Sequence, residues 1–418
     1  MVSRADHPLL FNENSEVTTG SAAQRWRKML SLEDFHAAAR SYLPRMIYGF
    51  ISGSVERGAA AKMAAEAYDH YAFVPRILRD VADRDCGITL FGHRYSVPFG
   101  IAPMGGAGIA AYCGDLVLAE AAARFEMPMI LSATSLISLE EVRRQYPHAW
   151  FQPYLAGDEA RIRPMIERVK AAGYDTLVLT ADTPIPGNRE NNTRNGYSMP
   201  IKVTPKVALD CALHPGWLLG TFGRTLKTRG LPHFENMEAE RGPPIMSRKL
   251  KRNFSDRDRF SWEHVKLIRR LWPGRLVIKG LLSTVDVRIA QRIGADGVIL
   301  SSHGGRQLDY AVAPLQVLDE VRKAKLELPV MIDGGIRRGS DVLKAIALGA
   351  SAVFVGRPFL YAAVIGGANA VVHAANLLKE EVDRNMALLG VNSVNELDPD
   401  YLFRCKNCQT TTRRKSDE

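Results

Sequence analysis

His303-Gly304-Gly305-Arg306-Gln307-Leu308-Asp309 combines a base, an anion clamp and two glycines in one short stretch. Histidine exchanges a proton near neutral pH. Arginine can hold a carboxylate through two parallel hydrogen bonds. Three residues apart, the pair suits an acidic substrate that loses a proton or a hydride. The preceding run, Gly297-Val298-Ile299-Leu300, reads as a buried strand. The pair therefore stands where a strand gives way to a loop, which is where barrel enzymes place their chemistry.

A site at a strand end needs repeated strand–helix units to build it. From Val97 onward, short β-rich runs alternate with alanine-rich helical stretches. The runs start near Val97, Pro128, Trp150, Thr176, Arg275, Gly297, Pro329 and Ala352. Most gaps match one strand plus one crossover helix. Eight such units predict an α/β fold of the closed (β/α)8 TIM-barrel type. A doubly wound open sheet is the structural alternative. Ser31, ahead of Leu32-Glu33-Asp34, predicts a helix start, with helical segments to about Tyr71. Asn369 to Leu389 reads as a closing helical region. Residues 1–24 are expected to be a mobile N-terminal segment, 25–403 the barrel domain, and 404–418 a disordered tail.

The gap after the fourth run is far longer than one crossover. This insert, about 188–260, contains His214-Pro215-Gly216-Trp217-Leu218-Leu219-Gly220 and then Arg224, Lys227 and Arg229. Long loops are usually functional or mobile. Two readings apply: a lid over the barrel mouth, or an interfacial membrane segment in which Trp, Leu and Phe sit beside basic residues.

Bulk properties narrow the function classes. The chain has 418 residues, of which 46% are hydrophobic, so a large core can form. Apolar runs in the sequence fall short of the roughly 20 residues of a membrane span. The polar start Met1-Val2-Ser3-Arg4-Ala5-Asp6-His7 lacks a signal-peptide core. The expected location is the cytoplasm, with peripheral contact at the inner face of the cell membrane. The formal net charge of +10 suits anionic ligands or an anionic lipid surface. No nucleic-acid-reading motif is present, so nucleic acid is not an expected partner. Five scattered cysteines do not make a disulfide framework. Cys405 and Cys408 form a single CxxC, short of the four ligands of a structural zinc site, and no metal is expected.

Polar residues recur at the predicted strand ends. The first run ends in Pro103-Met104-Gly105-Gly106; the second carries Ser132 and Thr134, and the third Gln152 and Tyr154. The fourth supplies Thr180, Asp182 and, past the turn, Arg189; the fifth ends in Lys279. The sixth supplies Ser301, His303, Gly304 and Arg306. The last two end in Asp333-Gly334-Gly335-Ile336-Arg337 and Gly356-Arg357. A barrel would bring all of these to one mouth. Gly335 and Gly356 would let backbone N–H groups approach an anion, and Arg337 and Arg357 would add charge. Barrels often hold phosphate after strands seven and eight; tight turns with surface ion pairs are the plainer alternative. Lys279 could be a Schiff-base nucleophile, a fixed positive charge or a snorkelling lysine. Asp182 could orient His303 or cap a helix. Gly106-Ala107-Gly108-Ile109-Ala110-Ala111 fits a loose dinucleotide fingerprint, but no second half of such a fold follows clearly.

From Leu32 to Leu402 the sequence resembles the FMN-dependent 2-hydroxy acid dehydrogenases and oxidases. The segments that carry the resemblance begin with Leu43-Pro44-Arg45-Met46-Ile47-Tyr48, Phe73-Val74-Pro75-Arg76 and Ile101-Ala102-Pro103. Mid-chain they are Val178-Leu179-Thr180-Ala181-Asp182-Thr183-Pro184 and Lys279-Gly280. They continue with Ser301-Ser302 and the His303 stretch, Asp333-Gly334-Gly335-Ile336-Arg337-Arg338-Gly339, and Gly356-Arg357-Pro358. Val207-Ala208-Leu209-Asp210, His214-Pro215-Gly216-Trp217 and Met246-Ser247-Arg248 resemble the insert of the membrane-associated members.

The resemblance implies FMN as cofactor, an L-2-hydroxy acid of the lactate or mandelate class as substrate and a homo-tetramer; the basic, Trp-bearing insert suggests a membrane quinone, or else another acceptor, for the electrons. It implies that His303 is the base, oriented by Asp182, and that Arg306 and Arg189 hold the substrate carboxylate. Tyr154 would bond the substrate oxygen and Lys279 the flavin N1–C2 carbonyl edge. Pro103, Met104, Gly105, Ser132, Gln152, Thr180, Ser301, Gly304 and Asp333 would contact the ring or ribityl chain, and Gly335, Arg337, Gly356 and Arg357 the phosphate. Departures from the family pattern fall on the substrate side. A family tyrosine that touches the carboxylate is Phe50, the usual threonine after Pro103 is Met104, Thr134 stands where tryptophan is frequent, and Ser302 replaces the common asparagine. Alternatives are an oxygen-using oxidase of the same fold, a flavoenzyme for an unusual substrate, and a non-catalytic membrane-binding protein.

Overall fold

Eight short runs that are apolar on both sides cannot lie on a solvent-facing sheet; they pack as parallel strands covered by helices. A computed structural model describes residues 25–247 and 257–405 and shows this arrangement. The strands are β1 (Phe99–Ile101), β2 (Ile130–Ser132), β3 (Trp150–Gln152), β4 (Thr176–Thr180), β5 (Arg275–Leu281), β6 (Gly297–Leu300), β7 (Val330–Asp333) and β8 (Ala352–Val355). They pair in parallel in the order β1-β8-β7-β6-β5-β4-β3-β2. A parallel bridge from Ile101 to Met129 joins the two ends, so the sheet closes as a barrel. The open doubly wound alternative is excluded. The predicted strand starts fall within two residues of the observed ones.

One irregularity serves the site. Between β5 and β6 the register slips at Lys279/Leu281. Gly280 takes φ +101, and a side chain there would meet the Asp182 carboxyl carbon at 2.6 Å. The glycine is thus what lets Asp182 come close behind the end of β5.

Three helices precede the barrel: α1 (Leu32–Tyr42), α2 (Arg45–Ser52) and α3 (Ala59–Glu66). Ser31 caps α1 as expected, and the Asp34 carboxylate accepts from the Ser31 amide at 3.0 Å. The last carbonyls of a helix lack partners within it. Around the end of α2, the Ile51 and Gly53 carbonyls instead accept from Arg306 and Arg357, at 2.9–3.1 Å. The start of α3 is tied to the His303 stretch: Asp309 accepts from Ala60 N at 2.9 Å and Arg57 N at 3.0 Å.

Two expectations at the C-terminal end need correction. The closing helix spans Arg357–Leu389, starting well before Asn369. It is broken at Gly366 (φ −156) and Gly367 (φ +62), so the sequence pattern only becomes regular after the break. Arg404 is not the start of a disordered tail; it ends a strand, Leu402–Arg404, paired antiparallel with Tyr71–Phe73. The expected mobile segment 1–24, the Arg248 match, Cys408 and the rest of the expected tail from residue 406 lie outside the described residues.

The part of the insert from Pro205 to Arg229 is largely helical: Pro205–Ala212, Pro215–Trp217, Leu218–Gly223 and Arg224–Arg229. Trp217 is 4% exposed and donates from Nε1 to the Ile109 carbonyl at 2.9 Å. Asn236, fully buried, accepts from Leu139 N and donates to Ile137 O, both at 2.8 Å. Trp217 thus docks the insert on the segment after β1, and Asn236 docks it on the loop after β2.

The same loop covers Asp115, in the first turn of the helix Gly114–Phe125. Burial pushes the Asp115 carboxyl up to about 7, against the opposing bonds from Ser135 and the Asp115 and Leu136 amides. Its Oδ2 has no partner among the described residues. The folded state therefore holds this proton more tightly than the unfolded chain. That contribution to stability is full below the unfolded pKa of 3.8 and is lost as pH rises through about 7. Asp115→Asn is expected to raise the melting temperature above pH 7 and to leave it unchanged near pH 4; thermal denaturation across that range measures the difference.

Candidate active site

A cavity of about 800 Å³ opens at the C-terminal ends of the strands. That lies within the roughly 300–1,000 Å³ typical of small-molecule sites. His303 follows β6 and lines it. Its φ of +54 is the left-handed region, which non-glycine residues seldom occupy. The following Gly304 and Gly305, at φ +63 and +71, continue the turn. This backbone turns the imidazole inward. His303 Nδ1 is 2.9 Å from Asp182 Oδ1, and Nε2 lies 3.5 Å from the Tyr154 hydroxyl.

Burial opposes ionisation of Asp182, but the His303 charge and hydrogen bond and the Lys279 charge outweigh it and hold the carboxyl below its usual value. Asp182 thus stays an anion, accepts from Nδ1–H and leaves Nε2 as the basic nitrogen facing the cavity. Asp182 itself stands behind the wall.

Lys279 ends the regular part of β5 and is 3% exposed. Its Nζ lies 2.9 Å from Asp333 Oδ2 and donates to Ser301 Oγ at 2.8 Å. Burial works to lower its pKa; the Asp333 and Asp182 charges reverse that and raise it. Among the readings left open, the fixed positive charge fits and the amine nucleophile does not, because a nucleophilic lysine must be deprotonated.

Five arginines line the cavity: Arg189, Arg257, Arg306, Arg337 and Arg357. Arg189 Nε donates to the Arg306 carbonyl at 3.2 Å and Nη2 to Gln307 Oε1 at 3.1 Å. Arg306 is held on the carbonyls after α2, and Arg357 on those and on the Gly304 carbonyl at 2.9 Å. Burial and the charges of Arg189 and Arg357 push the Arg306 pKa well down. A guanidinium stays charged in proteins, so the direction measures electrostatic crowding that an incoming anion relieves. Arg337 lines the cavity after β7, beside Gly335 at φ +82.

All the predicted site residues except three line one cavity. Besides Asp182, Ser132 and Ser301 stand back: Ser132 bonds Thr134 Oγ1 at 2.9 Å, and Ser301 Oγ accepts from Lys279 and from His303 N at 3.0 Å. They brace lining groups. Gly106-Ala107-Gly108 starts a short helix, Ala107–Ala110, inside the barrel, so the dinucleotide reading is excluded. Phe234, Tyr197, Met199 and Arg257 also line the cavity and went unnoticed in the sequence. Arg257 stacks on the Tyr154 ring at 4.3 Å. Each comes from the insert or the approach to it, where neither periodicity nor motif flags a residue.

The donor set fits FMN. Buried Thr180 Oγ1 and Asp333 Oδ1 line the cavity without partners among the described residues, beside a buried ammonium that suits a flavin pyrimidine edge. At the β7 and β8 ends, Arg337 and Arg357 suit its phosphate.

Comparison with known proteins agrees. The family described as FMN-dependent dehydrogenase matches residues 39–404. The chain is 38% identical to (S)-mandelate dehydrogenase of Pseudomonas putida over 383 residues, 90% of this chain and 94% of that one. It is 36% identical to L-lactate dehydrogenase of Azorhizobium caulinodans over 379 residues, 89% of this chain and 98% of that one. A crystal structure of monotopic membrane protein (S)-mandelate dehydrogenase superposes with a TM-score of 0.83 at 38% identity, covering 90% of this chain and 99% of that one. A mandelate oxidase structure gives 0.74 at 32% identity, covering 90% and 98%. By its barrel and by these matches the chain belongs to the FMN-dependent 2-hydroxy acid dehydrogenase family and is a flavoprotein oxidoreductase.

Proposed function

We propose that the protein oxidises an L-2-hydroxy acid of the lactate or mandelate class to the 2-oxo acid and passes the electrons to a membrane quinone. The observation that carries this is the imidazole of His303, bonded behind to Asp182 at 2.9 Å and facing a cavity that Arg189 and Arg306 also line. The two guanidiniums hold the substrate carboxylate. That places its hydroxyl-bearing carbon beneath His303 Nε2, which takes the substrate proton. Tyr154 bonds the substrate oxygen, and Asp182 stabilises the imidazolium that forms. Bound FMN supplies the two-electron acceptor. Pro103, Met104, Gly105, Gln152, Thr180, Gly304 and Asp333 hold its ring and ribityl chain, braced by Ser132 and Ser301. Lys279 stands at the N1–C2 carbonyl edge, and Gly335, Arg337, Gly356 and Arg357 hold the phosphate.

The membrane reading rests on the insert, though not on its tryptophan, which is buried. Leu209, Leu213 and Leu219 are 63%, 70% and 71% exposed. Lys202, Lys206 and Lys227 are exposed near them in sequence. Exposed leucines among lysines suit an anionic lipid surface. The (S)-mandelate dehydrogenase structure cited above is described as monotopic. Phe234, Met199 and Arg257 put the other side of the same region on the cavity. The insert therefore acts as lid and anchor together, at the inner face of the cell membrane. Assembly as a homo-tetramer is part of the same proposal, and light scattering tests it.

His303→Gln is expected to keep bound flavin while lowering kcat by about 10²-fold or more; turnover close to wild type would remove the base. Arg306→Met should raise KM by roughly 10–100-fold, the loss of a bond to a charged group; an unchanged KM speaks against the clamp. Leu213→Glu with Leu219→Glu should abolish sedimentation with anionic phospholipid vesicles and spare turnover with a soluble dye. Persisting sedimentation would refute the anchor. Comparing reoxidation by a quinone analogue with that by oxygen separates dehydrogenase from oxidase.

A further inference from the structure

The carboxylate site as read above lacks one donor. The family's phenol falls at Phe50, which has no hydroxyl to give. Phe50 nevertheless keeps its place on the cavity wall, with the Arg306 guanidinium 5.2 Å from its ring centre.

A second ring lies flat against it. Tyr197 stacks on Phe50 with centroids 4.3 Å apart and planes 14° from parallel. Tyr197 lines the cavity and is 7% exposed. Its hydroxyl oxygen is buried and has no hydrogen-bond partner among the described residues. A buried donor without an acceptor is costly, and native proteins seldom keep one without use. The phenol feels the charges of Arg306 and Arg189, yet burial dominates and raises its pKa. It therefore keeps its proton as a donor.

The local chain explains the placement. Arg189 precedes the helix Glu190–Arg194, and Tyr197 follows it after Gly196 at φ +81. Tyr197 N donates back to the Asn192 carbonyl at 2.8 Å. Asn191 Nδ2 donates to the Gly49 carbonyl at 2.7 Å, pinning this turn to α2 next to Phe50. One short segment thus delivers both a guanidinium and a phenol to the cavity.

We propose that Tyr197 donates a hydrogen bond to the substrate carboxylate beside Arg189 and Arg306, supplying from the neighbouring ring the hydroxyl that Phe50 lacks. Tyr197 is then a substrate-binding residue of this chain. The inference rests on the 2-hydroxy acid reading, and the test separates the two. Purified holoenzyme is titrated with phenylglyoxylate and with the neutral 2-hydroxy-phenylacetamide, following the flavin absorbance, and KM and kcat are measured with (S)-mandelate and L-lactate. Tyr197→Phe is expected to weaken phenylglyoxylate binding and raise KM about tenfold, to leave the amide's affinity and the flavin content unchanged, and to recover most of the loss when combined with Phe50→Tyr. Unchanged carboxylate affinity in Tyr197→Phe overturns the proposal, as does an equal loss for acid and amide. If the wild-type flavin is reduced by neither hydroxy acid and perturbed by neither ligand, the functional reading itself fails.

Discussion

Two carboxylate contacts beneath the barrel mouth set the electrostatics on which everything above them depends. Asp182 faces His303 at 2.9 Å, and Asp333 faces Lys279 at 2.9 Å. Burial alone would favour the neutral form of Asp182, and the His303 and Lys279 charges outweigh it. Ser301 links the two, accepting from Lys279 and from the His303 amide. The His303 backbone and the Lys279 ammonium are thereby tied to one hydroxyl just past β6. A shift of either carboxylate would move both.

Above this layer the charge is one-sided. Arg189, Arg306, Arg337 and Arg357 face the same cavity. Their partners are mostly backbone carbonyls, which orient a guanidinium without neutralising it. The net positive field suits two anions at once, a substrate carboxylate and a cofactor phosphate. The carbonyls around the end of α2 hold two of these arginines, so the N-terminal helices are part of the site and not an appendage to it.

The insert obeys two constraints at once. It has to dock on the barrel, which Trp217 and Asn236 do with buried hydrogen bonds. It also presents exposed leucines outward. Burying the large indole departs from the interfacial reading, which set Trp beside Leu and Phe at a lipid surface. A tryptophan in a basic segment is equally good at an interface and in a core; only the Ile109 carbonyl waiting on the barrel decides.

Much was legible in the sequence because it is written locally. Strand runs of four or five apolar residues, spaced by one crossover, announce a barrel, and the topology then forces every strand-end polar group towards one mouth. That is why His303, Lys279, Arg306 and the two glycine-arginine ends could be named beforehand. The rest depends on contacts between distant positions. Asp309 bonds Ala60 across 249 residues, and Ser132 and Ser301 differ from their lining neighbours only in which way a short strand faces. Phe50 and Tyr197 meet as stacked rings although 147 residues separate them in the chain. Arg257 reaches Tyr154 from the far end of the insert. Such pairings leave no period or spacing behind, because they follow from where the folded backbone crosses itself, and no stretch of neighbouring residues carries that information.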